Sequence, residues 1–283
     1  MRLLSWNIQW CRGVDGKVDP ARIAQTARAL CDPDVLCLQE VAANYPALAG
    51  SRGEDQYAAL AGAFPGFSAA VGWSVDVPDD AGGRRCFGNL ILSRLPVGRV
   101  LRHALPWPPA PGRRSMPRIA LEAEILAPWG SVRVTTTHLE YYAAHQRAAQ
   151  VERLRALHAE ACAQARTAPS PRDDGGPFQH RARPCAAIVT GDFNLPPDDP
   201  LHDRLCAPFD DATPRLHDAW ACLHGAAPHP PSFRLYDPDY ASAPYCCDFV
   251  LVSEDLAPRL SALRIDAGCQ ASDHQPVIAE FSA

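Results

Sequence analysis

Five short apolar runs, each about the length of one β-strand, begin or end on a carboxylate, an amide or an imidazole. They are Arg2–Asn7, Val35–Glu40, Val132–His138, Ala186–Asp192 and Asp248–Val252. Four more runs, Phe87–Ser93, Ile119–Ile125, Leu260–Asp266 and Val277–Phe281, complete the predicted strands. Runs of this kind, separated by turn residues, read as buried strands. Three stretches of helical period lie between them: Pro20–Leu30, Asp55–Ala63 and Ala143–Ala165. Pro20 suits a first helical turn. In the longest helix Val151, Leu154, Leu157 and Ala161 mark an apolar face, opposite Glu152, Arg153 and Glu160. The alternation predicts an α/β fold. A chain of 283 residues, 47% of them apolar, can bury one sizeable core, so residues 1–283 are expected to form a single domain. The Pro- and Gly-rich segments 106–117 and 167–184 are expected to be mobile flaps.

Several classes are disfavoured. No stretch approaches the roughly 20 apolar residues of a membrane span. The start, Met1-Arg2-Leu3-Leu4-Ser5-Trp6-Asn7, reads as a strand, so a secretory leader is not expected. The 11 cysteines are odd in number, lack a C-x-x-C pair and sit in apolar context, which predicts mostly reduced thiols and a cytoplasmic location. The formal net charge of −5 gives no global attraction to a polyanion. Arginine carries nearly all the positive charge, and Arg84, Arg85, Arg94, Arg99, Arg102, Arg113, Arg114 and Arg118 could rim an anionic site or simply face solvent.

The polar residues at the strand ends carry the chemistry. Asn7, Glu40, His138, Asp192, Asn194, Asp248, Asp273 and His274 all fall at or just past the edge of an apolar run. In layered α/β folds such edges are where distant parts of a chain meet. The set has no evident serine or cysteine nucleophile. It suits a hard, oxygen-ligated metal ion and a water nucleophile. Taken singly, Asn7 or Gly191-Asp192-Phe193-Asn194 could be turn residues, and Glu40 could cap a helix.

The order of the pieces is more specific. Ser-Trp-Asn-Ile-Gln-Trp at 5–10, Leu-Gln-Glu at 38–40, Thr-His-Leu at 137–139, Gly-Asp-Phe-Asn at 191–194, Cys-Asp-Phe-Val-Leu at 247–251 and Ser-Asp-His at 272–274 resemble the endonuclease/exonuclease/phosphatase superfamily. Gly88-Asn89-Leu90-Ile91-Leu92-Ser93-Arg94 and Asp218-Ala219-Trp220 add to the likeness. The resemblance implies a four-layered α/β/β/α sandwich of two mixed sheets, with a cleft at one end. It implies a Mg²⁺- or Mn²⁺-dependent phosphodiesterase or phosphatase. Asn7, Glu40 and Asp273 would gather around the metal. Asp192 would orient or deprotonate water, and Asn194 would hold that water or the phosphate. His274, oriented by Asp248, would bind a non-bridging oxygen, and Arg118 would contact phosphate. Cys86-Phe87-Gly88-Asn89 departs from the deoxyribonuclease branch, which has a glutamate there to pair with the Thr-His-Leu histidine. His138 is therefore either a general acid or a phosphate contact. The substrate stays open among nucleic acid, phospholipid head group, inositol phosphate and nucleotide. The alternative is a catalytically inactive binding module on the same fold.

Overall fold

The computed structural model describes residues 1–79, 82–167, 174–179, 181–236 and 243–283. Its strands, in chain order, are β1 (Arg2–Asn7), β2 (Val35–Ala43), β3 (Ser68–Pro78), β4 (Arg84–Ser93), β5 (Val97–Ala104), β6 (Ile119–Ala127), β7 (Gly130–His138), β8 (Ala187–Asp192), β9 (Leu216–Asp218), β10 (Asp248–Ser253), β11 (Leu260–Ile265) and β12 (Val277–Phe281). The helices are α1 (Pro20–Cys31), α2 (Gln56–Ala63), α3 (Ala144–Arg166), α4 (Pro200–Cys206) and α5 (Ala219–His224). The strands form two six-stranded sheets, ordered β11-β12-β1-β2-β4-β3 and β5-β6-β7-β8-β10-β9. In each sheet one central pair is parallel, β1 with β2 and β7 with β8.

Alternation along the strands builds the layers. Leu3, Val35 and Cys37 face the other sheet and meet Leu121, Val134, Ile188 and Val250. Leu4, Trp6, Leu36 and Leu38 point the opposite way, beneath Ile23 and Ala27 of α1 and Leu60 of α2. Across the sandwich, Val189, Phe249 and Leu251 pack under Val151 and Leu154 of α3 and Leu205 of α4. Helix, sheet, sheet and helix thus make the expected four-layered sandwich.

The predicted helices lie within a residue of those observed, and their starts are fixed by caps. The Asp19 carboxylate accepts from the N–H groups of Ala21 and Arg22, ahead of Pro20. Asp55, expected inside α2, is instead its N-cap and accepts from Ala58. The strands β3, β5 and β9 were not anticipated. All three are sheet edges short of an unbroken apolar run; β3 and β5 are largely solvated, and β9 is only three residues long. The short helices α4 and α5 were missed as well. The segment 106–117 is not a free flap. The side chains of Gln150, Gln146 and His145 bind the carbonyls of Pro106, Pro108 and Pro109 and tie it to α3. Of 167–184, residues 168–173 and 180 lie outside the described residues, and Arg183 is anchored in the core. A disulfide joins Cys162 to Cys185, a pair not anticipated in the sequence, while the other nine cysteines are free, in keeping with mostly reduced thiols. The two partners are 23 residues apart and meet only because α3 packs beside β8. Among the described residues, no helix is long and apolar enough to cross a membrane.

A buried charge cluster holds β6, β7 and the approach to β8. Glu122 is 2% exposed. Arg183 Nη2 donates to its Oε1 at 2.7 Å and Arg133 Nη1 to its Oε2 at 3.1 Å. Burial alone would raise the Glu122 carboxyl, but His103, Arg133 and Arg183 outweigh it and lower it from 4.5 to about 2. Glu122→Ala would strand two buried guanidinium groups, at an expected cost of about 3–5 kcal/mol. Because the folded value is depressed, this stabilisation is present above pH 4.5 and is lost as pH falls toward 2. Urea unfolding of both proteins checks this. The difference between them should shrink in acid, and a constant difference from pH 7 to pH 3 would contradict the assignment.

Candidate active site

Both parallel pairs run to the same end of the sandwich, so their C-terminal residues converge. Asn7 sits beside Gln39 across β1 and β2, and His138 beside Asp192 across β7 and β8. Asp248, opening β10, pairs with Asp192 from the other side. Gln39 Nε2 donates to Thr136 Oγ1 at 2.7 Å and links the sheets beneath this end. Two backbone features aim the side chains. Glu40 has φ +58° within a bulge between Leu38 and Val41, where β2 pairs with β4. β2 therefore continues to Ala43 rather than ending at Glu40 as expected, and the bulge turns the carboxylate into the cleft. Gly191 has φ +137°, and a Cβ there would lie 1.9 Å from the Thr137 carbonyl oxygen, so only glycine lets β7 and β8 approach.

The side chains form one connected group. Asn7 Nδ2 lies 3.2 Å from Glu40 Oε1 and 3.0 Å from Asp192 Oδ2, and can donate to either. Asp192 Oδ2 also lies 3.4 Å from His138 Nε2 and 3.7 Å from His274 Nε2. Asp192 Oδ1 accepts from the Asn194 N–H at 2.9 Å. Asn194 has φ +52°, and its Nδ2 donates to the Leu139 carbonyl at 2.8 Å. His274 Nδ1 is 2.9 Å from Asp248 Oδ2, which also accepts from Ser232 Oγ at 2.6 Å. Asp273 Oδ2 accepts from Gln9 Nε2 at 2.8 Å.

Electrostatics separates the two imidazoles. Burial and the nearby Arg118 push His138 down from 6.5 to about 3, so it is neutral. Burial would also lower His274, but Asp248, Asp192 and Asp273 outweigh it and raise it to about 10, so it is cationic. Glu40 is pushed up from 4.5 to about 7, first by its recessed position and then by Asp273 and Asp192. Its nearest donor is the neutral amide of Asn7. Glu40 and Asp273 repel one another, and the cationic His274 offsets this only in part, so the pair offers hard, anionic oxygen donors. Glu40 and Asp273 therefore fit a divalent cation such as Mg²⁺ or Mn²⁺, with Asn7 beside them, its Nδ2 facing Glu40 and its Oδ1 accepting from the Gln9 N–H.

Each of the nine residues singled out in the sequence lies at this end of the sandwich. Arg118, 6% exposed, pairs with Glu140 at 3.4 Å, and its Nη1 has no partner among the described residues. The rest of the arginine run includes Arg84, held by Asp76, Arg94, held by Asp32 and Asp34, and Arg99, beside Glu124. No acid from 86–89 reaches His138. Asn89 binds backbone carbonyls instead, and the histidine's carboxylate neighbours are Asp192 and Glu40. Sequence reasoning missed Gln9, Ser232, Glu140 and Phe233, whose ring stacks on His274 at 4.3 Å. These residues act through neighbours, and nothing in their local sequence signals it. Cys247 was also missed as a neighbour of the site. Its thiol is 4.0 Å from His274 Nδ1, but burial keeps it protonated and so a poor nucleophile.

A profile of the Endonuclease/Exonuclease/phosphatase family matches residues 4–274, and the chain belongs to that family. No curated protein sequence matches it. Solved structures share the fold. An endonuclease/exonuclease/phosphatase from Beutenbergia cavernae superposes with TM-score 0.66 at 23% identity, covering 100% of this chain and 72% of the other. Truncated Caenorhabditis elegans TDP2 gives 0.64 at 19% identity, covering 100% and 97%. A mannosyl-6-phosphatase from Bacteroides thetaiotaomicron gives 0.61 at 16% identity, covering 100% of both.

Proposed function

We propose that the chain is one catalytic domain, residues 1–283, that hydrolyses a phosphodiester or phosphomonoester with water as nucleophile and a divalent metal ion as cofactor. The observation that supports it most is the convergence of Glu40, Asn7, Asp192 and the Asp248–His274 pair on one cleft, through contacts of 2.9–3.7 Å. Members of this family hydrolyse phosphate esters, and the fold neighbours include a phosphatase by name.

Glu40, Asn7 and Asp273 would hold Mg²⁺ or Mn²⁺, which supplies charge neutralisation for the phosphoryl oxygens. Asp192 orients the attacking water and takes its proton. Asn194 helps to hold that water or the phosphate. His274 donates from Nε2 to a non-bridging oxygen, and Asp248 fixes its tautomer through Nδ1. His138 is uncharged and faces Asp192, which suits a contact to phosphate better than a standing general acid. Arg118 offers its free Nη1 to the same anion.

The test is a substrate panel: bis-nitrophenyl phosphate, inositol phosphates, sphingomyelin, RNA and plasmid DNA, with and without excess chelator. Turnover of at least one small or lipid ester is expected, restored by Mg²⁺ or Mn²⁺ after chelation. Plasmid DNA should be a poor substrate, since the net charge is −5 and several arginines of the run are engaged by carboxylates. Full activity in excess chelator would contradict the reading.

A further inference from the structure

A second cluster of ligand-type side chains lies away from the cleft, on the far side of β10. His202 comes from α4, Asp218 from the junction of β9 and α5, and His229 from the loop after α5. Their nitrogen and oxygen atoms all lie within 4.8 Å of one another. His229 Nε2 is 2.7 Å and His202 Nε2 2.9 Å from the same atom, Asp218 Oδ2. His202 is 8% exposed, and although its Nε2 is this close, it makes no well-directed hydrogen bond. One oxygen is thus faced by two imidazole nitrogens, one of them buried and poorly aligned. Tetrahedral zinc bonds of 2.0–2.2 Å place ligand atoms about 3.3 Å apart, so a shift of roughly half an ångström would admit the ion.

We propose that His202, Asp218 and His229 form a structural zinc site, distinct from the catalytic centre. Two imidazoles and a carboxylate are borderline ligands that suit Zn²⁺ better than Mg²⁺. A water completes the tetrahedron. The ring of Phe249 packs on both imidazoles, at 4.7 Å and 5.5 Å, while Asp248, the residue before it, points to the opposite face toward His274. The zinc would tie the loop carrying His229 to α4 and β9. That loop leads directly to Ser232, which donates to Asp248, and Phe233, which stacks on His274. The ion would therefore brace the segment that supports the His274 pair without touching substrate.

The test measures zinc by mass spectrometry after stripping, reloading with Zn²⁺ and gel filtration in Mg²⁺ buffer. Wild type and Glu40→Gln should each retain about one zinc per chain, because the catalytic cleft does not hold it. His202→Asn and His229→Gln, checked for folding by circular dichroism, should each retain less than about a tenth of that. The wild-type melting temperature should rise on reloading, and that of His229→Gln should not. Co²⁺ in place of zinc should give wild type the visible absorption of a tetrahedral nitrogen and oxygen site. Wild type that retains no zinc, or folded histidine variants that retain as much as wild type, would overturn the proposal. So would loss of the zinc in Glu40→Gln, which would place it in the catalytic cleft. If the variants do not fold, the wild-type stoichiometry and the Co²⁺ spectrum decide.

Discussion

Replacing Asp192 by asparagine is expected to lower kcat on the best phosphate ester by about 10²–10⁴-fold, the usual worth of a general base. The fold should survive. Asparagine keeps the side-chain shape, and its oxygen can still accept the Asn194 N–H that now binds Asp192 Oδ1. Its new amide nitrogen would face His138, a neutral imidazole that can accept, while Asn7 Nδ2 loses Asp192 as an acceptor but keeps Glu40 Oε1 at 3.2 Å. Removing one charge from a cleft shared with Glu40 and Asp273 also relieves repulsion. The melting temperature should therefore move little while turnover collapses. Near wild-type turnover would put the base elsewhere and remove the centre of the mechanism.

The second large effect comes from the imidazole across the cleft. His274→Ala removes a cationic donor aimed at the developing phosphoryl charge, and should cost about 10²–10³-fold in kcat. Asp248→Asn should act through the same ring. Asp248 Oδ2 is 2.9 Å from His274 Nδ1, and Ser232 supports it from behind at 2.6 Å. With the carboxylate gone, the cationic form loses its main support and the tautomer is no longer fixed. Once His274 is absent, Asp248→Asn has nothing left to spoil. The double variant should be about as slow as His274→Ala alone. Penalties that multiply in a double-mutant cycle on kcat would show that the two residues do not work as a pair.

The contrast between what the sequence revealed and what it concealed follows burial. Central strands such as β1, β7 and β8 are buried on both faces and rich in apolar and β-branched residues, so they stand out as runs, and an amide, imidazole or carboxylate closing such a run is conspicuous. That is why Asn7, His138 and Asp192 were legible. The edge strands β3, β5 and β9 bury one face at most and share their pattern with loops. The bulge at Glu40 was invisible because Leu38-Gln39-Glu40-Val41 looks like ordinary strand, and only the pairing with β4 exposes the extra residue. Supporting residues were hidden for another reason. Ser232 and Phe233 matter through Asp248 and His274, which are 16 and 41 positions away in the chain, and no local pattern encodes such contacts. The Cys162–Cys185 bond escaped notice in the same way.

The central claim is that a hard cation held by Glu40 is needed for phosphate-ester hydrolysis, and its most direct test is a Mg²⁺ activation curve. Stripped wild type and stripped Glu40→Gln are assayed on the same ester over a wide Mg²⁺ range, with melting temperature as the control for folding. Glutamine keeps the hydrogen bond from Asn7 Nδ2 but takes the negative charge from the donor set. Wild type should be inactive without metal and rise to saturation. Glu40→Gln should need about 10–100-fold more Mg²⁺ for half-activation, the loss typical when a metal's protein environment is damaged. Superimposable curves, or wild-type turnover that is indifferent to Mg²⁺, would contradict the account.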